Sequence, residues 1–211
     1  MKPWGRFRLI NAGRVAFDEA WDRQRQLADE VRGGADAALL LVEHPPVFTL
    51  GKNADETNLL NPGNIPVRRI DRGGDVTWHG PGQLVAYPIL SLRERRLGVR
   101  GHVEALERAI VAAAADFGVT AAPKTGCVGV WTAKGKLASI GIRVASGVTQ
   151  HGAALNVDPD LASFALINPC GVKGGVVTSL AAEAGRRVTL EEAAGRFVPR
   201  FAESFRFALR A

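Results

Sequence analysis

The chain reads as a mixed α/β (α+β) protein: a single domain whose mixed, largely antiparallel sheet is flanked by helices. Three observations predict this. Helical stripes occur near the start, in the middle and at the end of the chain, and short apolar runs of strand length lie between them. Three of those runs follow one another directly, separated only by turn residues, as antiparallel hairpins require. With 211 residues and no stretch that resembles a linker, residues 1–211 are expected to form one domain.

The elements follow in order. Val15 to Val31 places Phe17, Trp21, Leu27 and Val31 near one helical face, and Gly33-Gly34 stops it. Ala37 to Val42 is a short apolar run, best read as a buried strand. Pro45-Pro46 interrupts pairing, and Val47 to Leu50 resumes an extended path. Asn53 to Pro66 is a polar connection. Val67 to Ile70 and Leu84 to Leu90 read as strands on either side of a glycine-rich loop. Val103, Leu106, Ile110, Ala114 and Phe117 form a helical stripe closed by Gly118. Val128–Thr132, Leu137–Val144 and Val148–Val157 are strands, with hairpin tips at Lys134-Gly135 and Ser146-Gly147. Thr189 and Glu192 form a capping-box signature for the last helix. Phe197, Phe201 and Phe205 are its core stripe, and Pro199 predicts a kink or a break.

Composition narrows the function classes. The net charge is +6, carried by scattered Lys and Arg, which suits acidic partners. No basic stripe is interleaved with aromatics, so nucleic-acid binding is not expected. No apolar run approaches the roughly 18 residues of a membrane helix, and the first residues lack a signal-peptide core. A cytoplasmic, membrane-free protein is expected, with Cys127 and Cys170 as free thiols. No Cys/His cluster has metal-ligand spacing, so neither a metal nor another cofactor is expected. Nothing marks a dimerisation element, and a monomer is expected.

The richest stretch is Arg72 to Gln83, where glycines surround an arginine and a histidine. Such a loop suits close backbone approach to a ligand. It lacks the GxGxxG spacing of dinucleotide sites and the closing Gly-Lys-Ser/Thr of a P-loop. His79 within it has the chemistry to hydrogen-bond a substrate, and Arg72 either binds an anion or pins the loop. Cys170 lies in Asn168-Pro169-Cys170-Gly171, a tight turn. It is either an exposed nucleophile or a small buried hydrophobe. Cys127, at the head of an apolar strand, reads as the latter. Lys136 shares a strand face with Ala138, Ile140 and Ile142. It is either a partly desolvated base or a hairpin lysine reaching water. His151 alternates with Ala153, Leu155 and Val157, which suggests a core histidine, although Gly152 beside it admits close approach. His44 and His102 have no supporting context.

Taken together, EHPPVFTLGK, RGGDVTWHGPGQLVAYPIL, GKLASIGIR, HGAALNV, INPCG and TSL resemble, in this order, the segments of the bacterial B-type octanoyltransferases of lipoate biosynthesis. The match runs from about residue 40 to residue 180 and departs at Lys52, where the family has Arg. The resemblance implies a fold like the catalytic domain of lipoate and biotin ligases. It implies transfer of an octanoyl group from octanoyl-acyl carrier protein to a lysine of lipoyl domains. Those acceptors are the E2 subunits of 2-oxoacid dehydrogenases and the glycine cleavage H protein. It gives Cys170 as the acyl-thioester nucleophile and Lys136 as the base that activates it. The family's acyl-binding segments correspond to Arg72, Gly73, Gly74, Asp75, Val76, Thr77, Trp78 and His79, to Ser139, Ile140 and Gly141, and to Gly152, Ala153 and Ala154, with His151 in support. An ATP-dependent lipoate or biotin ligase on the same scaffold is the alternative, and a non-catalytic module that docks acidic domains is a third reading.

Overall fold

The computed structural model describes residues 5–168 and 175–208. Its elements run β1 (Phe7–Arg14), α1 (Phe17–Arg32), β2 (Ala37–Glu43), β3 (Val47–Leu50), β4 (Val67–Arg69), β5 (Val76–His79), β6 (Gln83–Ile89), α2 (Leu92–Arg95), α3 (Val99–Ala115), β7 (Ala122–Lys124), β8 (Cys127–Trp131), β9 (Lys136–Ala145), β10 (Val148–Asn156), α4 (Leu180–Ala184) and α5 (Leu190–Phe205), with short 3-10 turns at Glu56–Asn58 and Leu161–Leu166. No helix among the described residues is long and apolar enough to cross a membrane.

Seven strands form one sheet in the order β1-β2-β6-β10-β9-β8-β7. Only β1 and β2 pair in parallel; the other ladders are antiparallel. A second sheet has the order β4-β3-β5, parallel on one side of β3 and antiparallel on the other. The mixed, largely antiparallel architecture is therefore the expected one.

Strand β2 shows why its sequence is apolar throughout. Leu39 and Leu41 enter a core with Leu106 and Ile110 of α3 and Phe197 and Phe201 of α5. Leu40 and Val42 enter a second core with Leu27 and Val31 of α1. Both faces are covered, so neither set of alternate positions can be polar. Each such side chain contributes on the order of 2 kcal/mol by leaving water.

Five elements, β1, β5, β7 and the short helices α2 and α4, are not legible in the sequence. Strand β1 is an edge whose second half is exposed, so no period of two marks it. Strand β7 is three exposed residues, Ala122–Lys124. The stretch read as one loop from Arg72 to Gln83 contains β5, paired antiparallel to β3. Its β-prone Val76-Thr77-Trp78-His79 core is masked by the glycines around it. The hairpin between β9 and β10 turns at Ser146 and Gly147, both with positive φ, as a two-residue connection demands.

The last helix keeps its capping box: Glu192 N–H donates to Thr189 Oγ1 at 3.1 Å, and Thr189 N–H donates to the Glu192 carboxylate at 2.8 Å. Of the kink or break expected at Pro199, the break does not occur, because α5 continues to Phe205. Pro199 and Gly195, whose carbonyl it leaves unpaired, both lie on the exposed face, where water takes the lost bond.

His102 of α3 is fully buried against the Phe205 ring, 5.1 Å away, and neither ring nitrogen has a hydrogen-bond partner among the described residues. Burial pushes its pKa down to about 4. In the unfolded chain it titrates near 6.5. Below that pH the unfolded chain binds a proton that the native chain refuses, so stability is complete above 6.5 and falls as pH drops toward 4. His102→Leu is expected to reduce the slope of unfolding free energy by up to about 1.4 kcal/mol per pH unit between pH 6 and pH 4. Urea titrations at several pH values check this, and equal slopes in the two proteins would refute it.

Candidate functional site

A cleft opens between the small sheet and the face of β9 and β10. Most of the site residues expected from sequence line it: Arg72, Gly74, Asp75, Val76, Thr77, His79, Lys136, Ser139, Ile140, Gly141, His151, Gly152, Ala153 and Ala154. Antiparallel pairing brings the two strand segments together, with Ala153 opposite Ile140 and Ala154 opposite Ser139. Strand β5 supplies Thr77 and His79. Trp78, between them in sequence, does not line the cleft. It points into a separate core and meets Phe164 edge-on at 5.2 Å. Gly73 does not line it either; its N–H donates to Ile142 O at 2.9 Å. Cys170 lies outside the described residues.

Arg72 is the anchor of this region. It is buried, and its Nη2 donates to Thr49 O at 2.7 Å and to Thr49 Oγ1 at 2.9 Å, while Nη1 donates to Gly73 O at 3.0 Å. Of the two roles open to it, the geometry shows the pin. Gly141 accommodates its stem, since a Cβ there would lie 2.9 Å from Arg72 Cδ. Gly152 similarly makes room for Ala86 O, which a Cβ would meet at 2.1 Å. These two glycines thus serve close packing within the protein.

Lys136 begins β9 and is 2% exposed. Its backbone N–H donates to Val176 O at 2.9 Å, and Thr178 N–H donates to Lys136 O at 3.0 Å. Gly129 lies directly over its stem. The lysine is therefore buried at the cleft and does not run out to water as a hairpin lysine would.

Four neutral rings form the back of the site. His44 Nδ1–H donates to Val15 O at 2.7 Å, so its Nε2 accepts from the Tyr87 hydroxyl at 2.8 Å. Burial lowers the His44 pKa and raises that of Tyr87. Gln83 uses its amide N–H groups on Asn156 Oδ1 and Trp78 O. Its Oε1 therefore accepts from His79 Nδ1 at 3.1 Å. The His79 ring is held neutral: burial first, with the Arg72 charge and the repulsion that a protonated His44 would add, pushes its pKa to about 3. His151 donates from Nε2 to Asp71 Oδ1 at 2.9 Å, and Arg143 holds the other oxygen at 2.7 Å. That hydrogen bond lowers the Asp71 pKa, while burial lowers the His151 pKa against it.

His151 departs from its expected face. Its φ is +56, and its N–H donates to Gln24 Oε1 at 2.7 Å. This left-handed residue breaks the alternation, so its ring meets Trp21 and Tyr87, away from the core that holds Leu155 and Val157. Phe17, Ile70, Val85 and Tyr87 also line the cleft without having been expected there. Tyr87 alone left a signal, as the single tyrosine of the chain set in an apolar strand. His44 stands behind it, and only the fold shows the pair.

Asp75 links the cleft to the chain that leads into residues 169–174. It accepts from Val76 N–H at 2.7 Å and from Asn58 Nδ2 at 2.6 Å. Asn58 O in turn accepts from Asn168 N–H at 2.8 Å. Among the described residues no cluster of His, Cys, Asp and Glu could hold a metal ion.

Residues 17–202 match the family model described as the lipoyl protein ligase A/B catalytic domain. The chain is 50% identical, over 92% of its length and 90% of the relative's, to the octanoyltransferase of Geotalea uraniireducens. It is 45% identical to the octanoyltransferase of Chloroflexus aurantiacus, over 92% of this chain and 91% of that one. The chain belongs to the octanoyltransferase family. Among solved structures, lipoate-protein ligase A bound with ATP superposes with a TM-score of 0.75 at 17% identity, covering 100% of this chain and 88% of that one. Biotin protein ligase from Aquifex aeolicus does so with a TM-score of 0.55 at 11% identity, covering 94% and 68%. At that identity these two share the fold.

Arg72→Lys is expected to destabilise the protein by about 1.5–3 kcal/mol, because an ammonium cannot span the three acceptors that the guanidinium fork reaches. A urea unfolding titration checks it, and an unchanged midpoint would refute the pinning role.

Proposed function

We propose that the cleft carries octanoyl transfer from acyl carrier protein to a lysine of a lipoyl domain, through a thioester on Cys170. One observation supports this above the rest. The chain enters residues 169–174 from Asn168, tied through Asn58 to the cleft residue Asp75. It returns as Val176 to Thr178, paired with the backbone of Lys136. Both flanks of the cysteine segment are therefore tied by hydrogen bonds to residues that line the cleft, Asp75 on one side and Lys136 on the other.

The chemistry runs in two halves. Lys136 takes the Cys170 thiol proton, and the thiolate attacks the donor thioester carbonyl. The bond from that carbon to the pantetheine sulfur breaks, and Lys136 returns the proton to the departing thiolate. The acceptor lysine, as a free amine, then attacks the Cys170 thioester. An amide forms, the carbon–sulfur bond to Cys170 breaks, and Lys136 carries the amine proton to the cysteine. Thioester exchange suits a thiolate, which is both a good nucleophile and a good leaving group. Ile140, Ala153 and Ala154 offer apolar surface to the alkyl chain, with Ser139 and Gly141 lining the cleft beside them on β9. The neutral His79 and His151 can accept or donate hydrogen bonds there without adding charge. The net charge of +6 favours acidic carrier and lipoyl domains. In this reading the E2 subunits and the glycine cleavage H protein are the acceptors, and the enzyme acts as a cytoplasmic monomer without cofactor.

The test is intact-protein mass spectrometry after incubation with octanoyl-acyl carrier protein. The wild type is expected to gain an octanoyl adduct that hydroxylamine removes, and Cys170→Ala to gain none. Lys136→Ala and Lys136→Arg are each expected to slow transfer at least a hundredfold, as loss of a general base does. Transfer that needs ATP and survives Cys170→Ala would instead establish a ligase. Tight binding of the carrier with no transfer would reduce the protein to a docking module.

A further inference from the structure

This inference rests on the octanoyl-transfer reading and concerns a residue outside the cleft lining. Trp131 pairs with Lys136 across β8 and β9, beside a bulge at Val130 and Trp131. The Lys136 ammonium nitrogen stands 5.3 Å from the centroid of the Trp131 ring. The indole N–H donates to Cys127 O at 3.3 Å, which fixes the ring plane. Gly129, two residues earlier on β8, clears the path of the lysine. A Cβ there would lie 2.9 Å from Lys136 Cε and 2.5 Å from Ala138 O, and its φ is +129. The buried carboxylate of Glu107 on α3 accepts the Gly129 N–H at 3.2 Å, and so holds β8 where the lysine crosses it. A tryptophan face within about 6 Å attracts an ammonium. Lys124 uses the same ring from outside, 4.9 Å from the centroid, on the exposed strand β7.

We propose that Trp131 is a positioning residue for Lys136. A lysine side chain is a flexible stem that ends in a compact charge. The ring narrows the range of the nitrogen, and the missing side chain of Gly129 leaves the space in which the stem lies. The ring favours the protonated amine, so its influence falls on the interval when Lys136 holds the proton between one sulfur and the next. Trp131 therefore sets turnover and not the binding of the donor.

The experiment compares Trp131→Leu, Trp131→Phe and Lys124→Met in steady-state transfer. Trp131→Leu is expected to lose about tenfold or more in kcat with KM for the acyl carrier protein within about threefold, the pattern of a lost transition-state interaction. Trp131→Phe keeps an aromatic face and is expected to regain most of that loss. Lys124→Met is expected to match wild type. Wild-type kcat in Trp131→Leu, equal losses in the Leu and Phe variants, or a loss in Lys124→Met would each overturn the proposal. A second readout needs no turnover. In protein labelled with 13C-lysine, the Lys136 ε-CH2 proton resonance, assigned by its absence from Lys136→Arg, is expected upfield through the ring current. It should lose that shift in Trp131→Leu; the same position in both proteins would overturn the contact itself. Absence of any octanoyl adduct on wild type would instead count against the octanoyl-transfer reading, and the resonance would still decide the contact.

Discussion

Arg72 brings a full positive charge into the seam between the three-stranded and the seven-stranded sheet. A buried charge is costly unless hydrogen bonds compensate it. Dipoles are among its acceptors: the Thr49 carbonyl and hydroxyl on β3 and the Gly73 carbonyl in the loop. The stem lies against Gly141 of β9. One side chain thus fastens the small sheet, the glycine-rich loop and the large sheet to one another. The cleft is the space left beside that joint, so its shape follows from where the guanidinium finds its acceptors.

The same burial sets the electrostatics of the site. A charge already present in the seam makes a second cation nearby expensive, and desolvation acts in the same direction. Arg72 contributes to the lowering of both His79 and His151. His44, in contact with Tyr87, is lowered by burial alone against a supporting carbonyl. The imidazoles are therefore neutral hydrogen-bonding groups near pH 7, with tautomers dictated by Val15 O, Gln83 Oε1 and Asp71. Proton carriage in the proposed reaction falls to Lys136, the single lysine among the described lining residues.

The glycines of the site show how much of a residue's surroundings local sequence leaves open. Gly141 and Gly152, expected in acyl-binding segments, both line the cleft. The fold uses the missing side chains for the Arg72 stem and for Ala86 O. Local sequence announces that something must come close, and only the assembled sheets say what. His151 makes the same point, since a left-handed backbone within a strand cannot be foreseen from alternation. His44 and Tyr87 come together from the turn after β2 and from β6, and no spacing rule spans that distance.

Sequence by itself determined the alternation of helices and apolar strands, the hairpin at Ser146-Gly147, the capping box at Thr189 and the family. Each of these depends on neighbours within a few residues or on motifs that stay together along the chain. It also named most of the residues that meet in the cleft, because the motifs carry them as blocks. The tertiary structure decided what depends on contacts between distant segments. It buried β5 within a stretch of glycines and turned Trp78 away from the cleft while its neighbours Thr77 and His79 faced it. It let α5 pass through Pro199 because the lost bond faces water. It set Trp131 beside Lys136, a contact created by pairing across two strands and a bulge. Periodicity records which face of an element is apolar; only packing records which other element that face will meet.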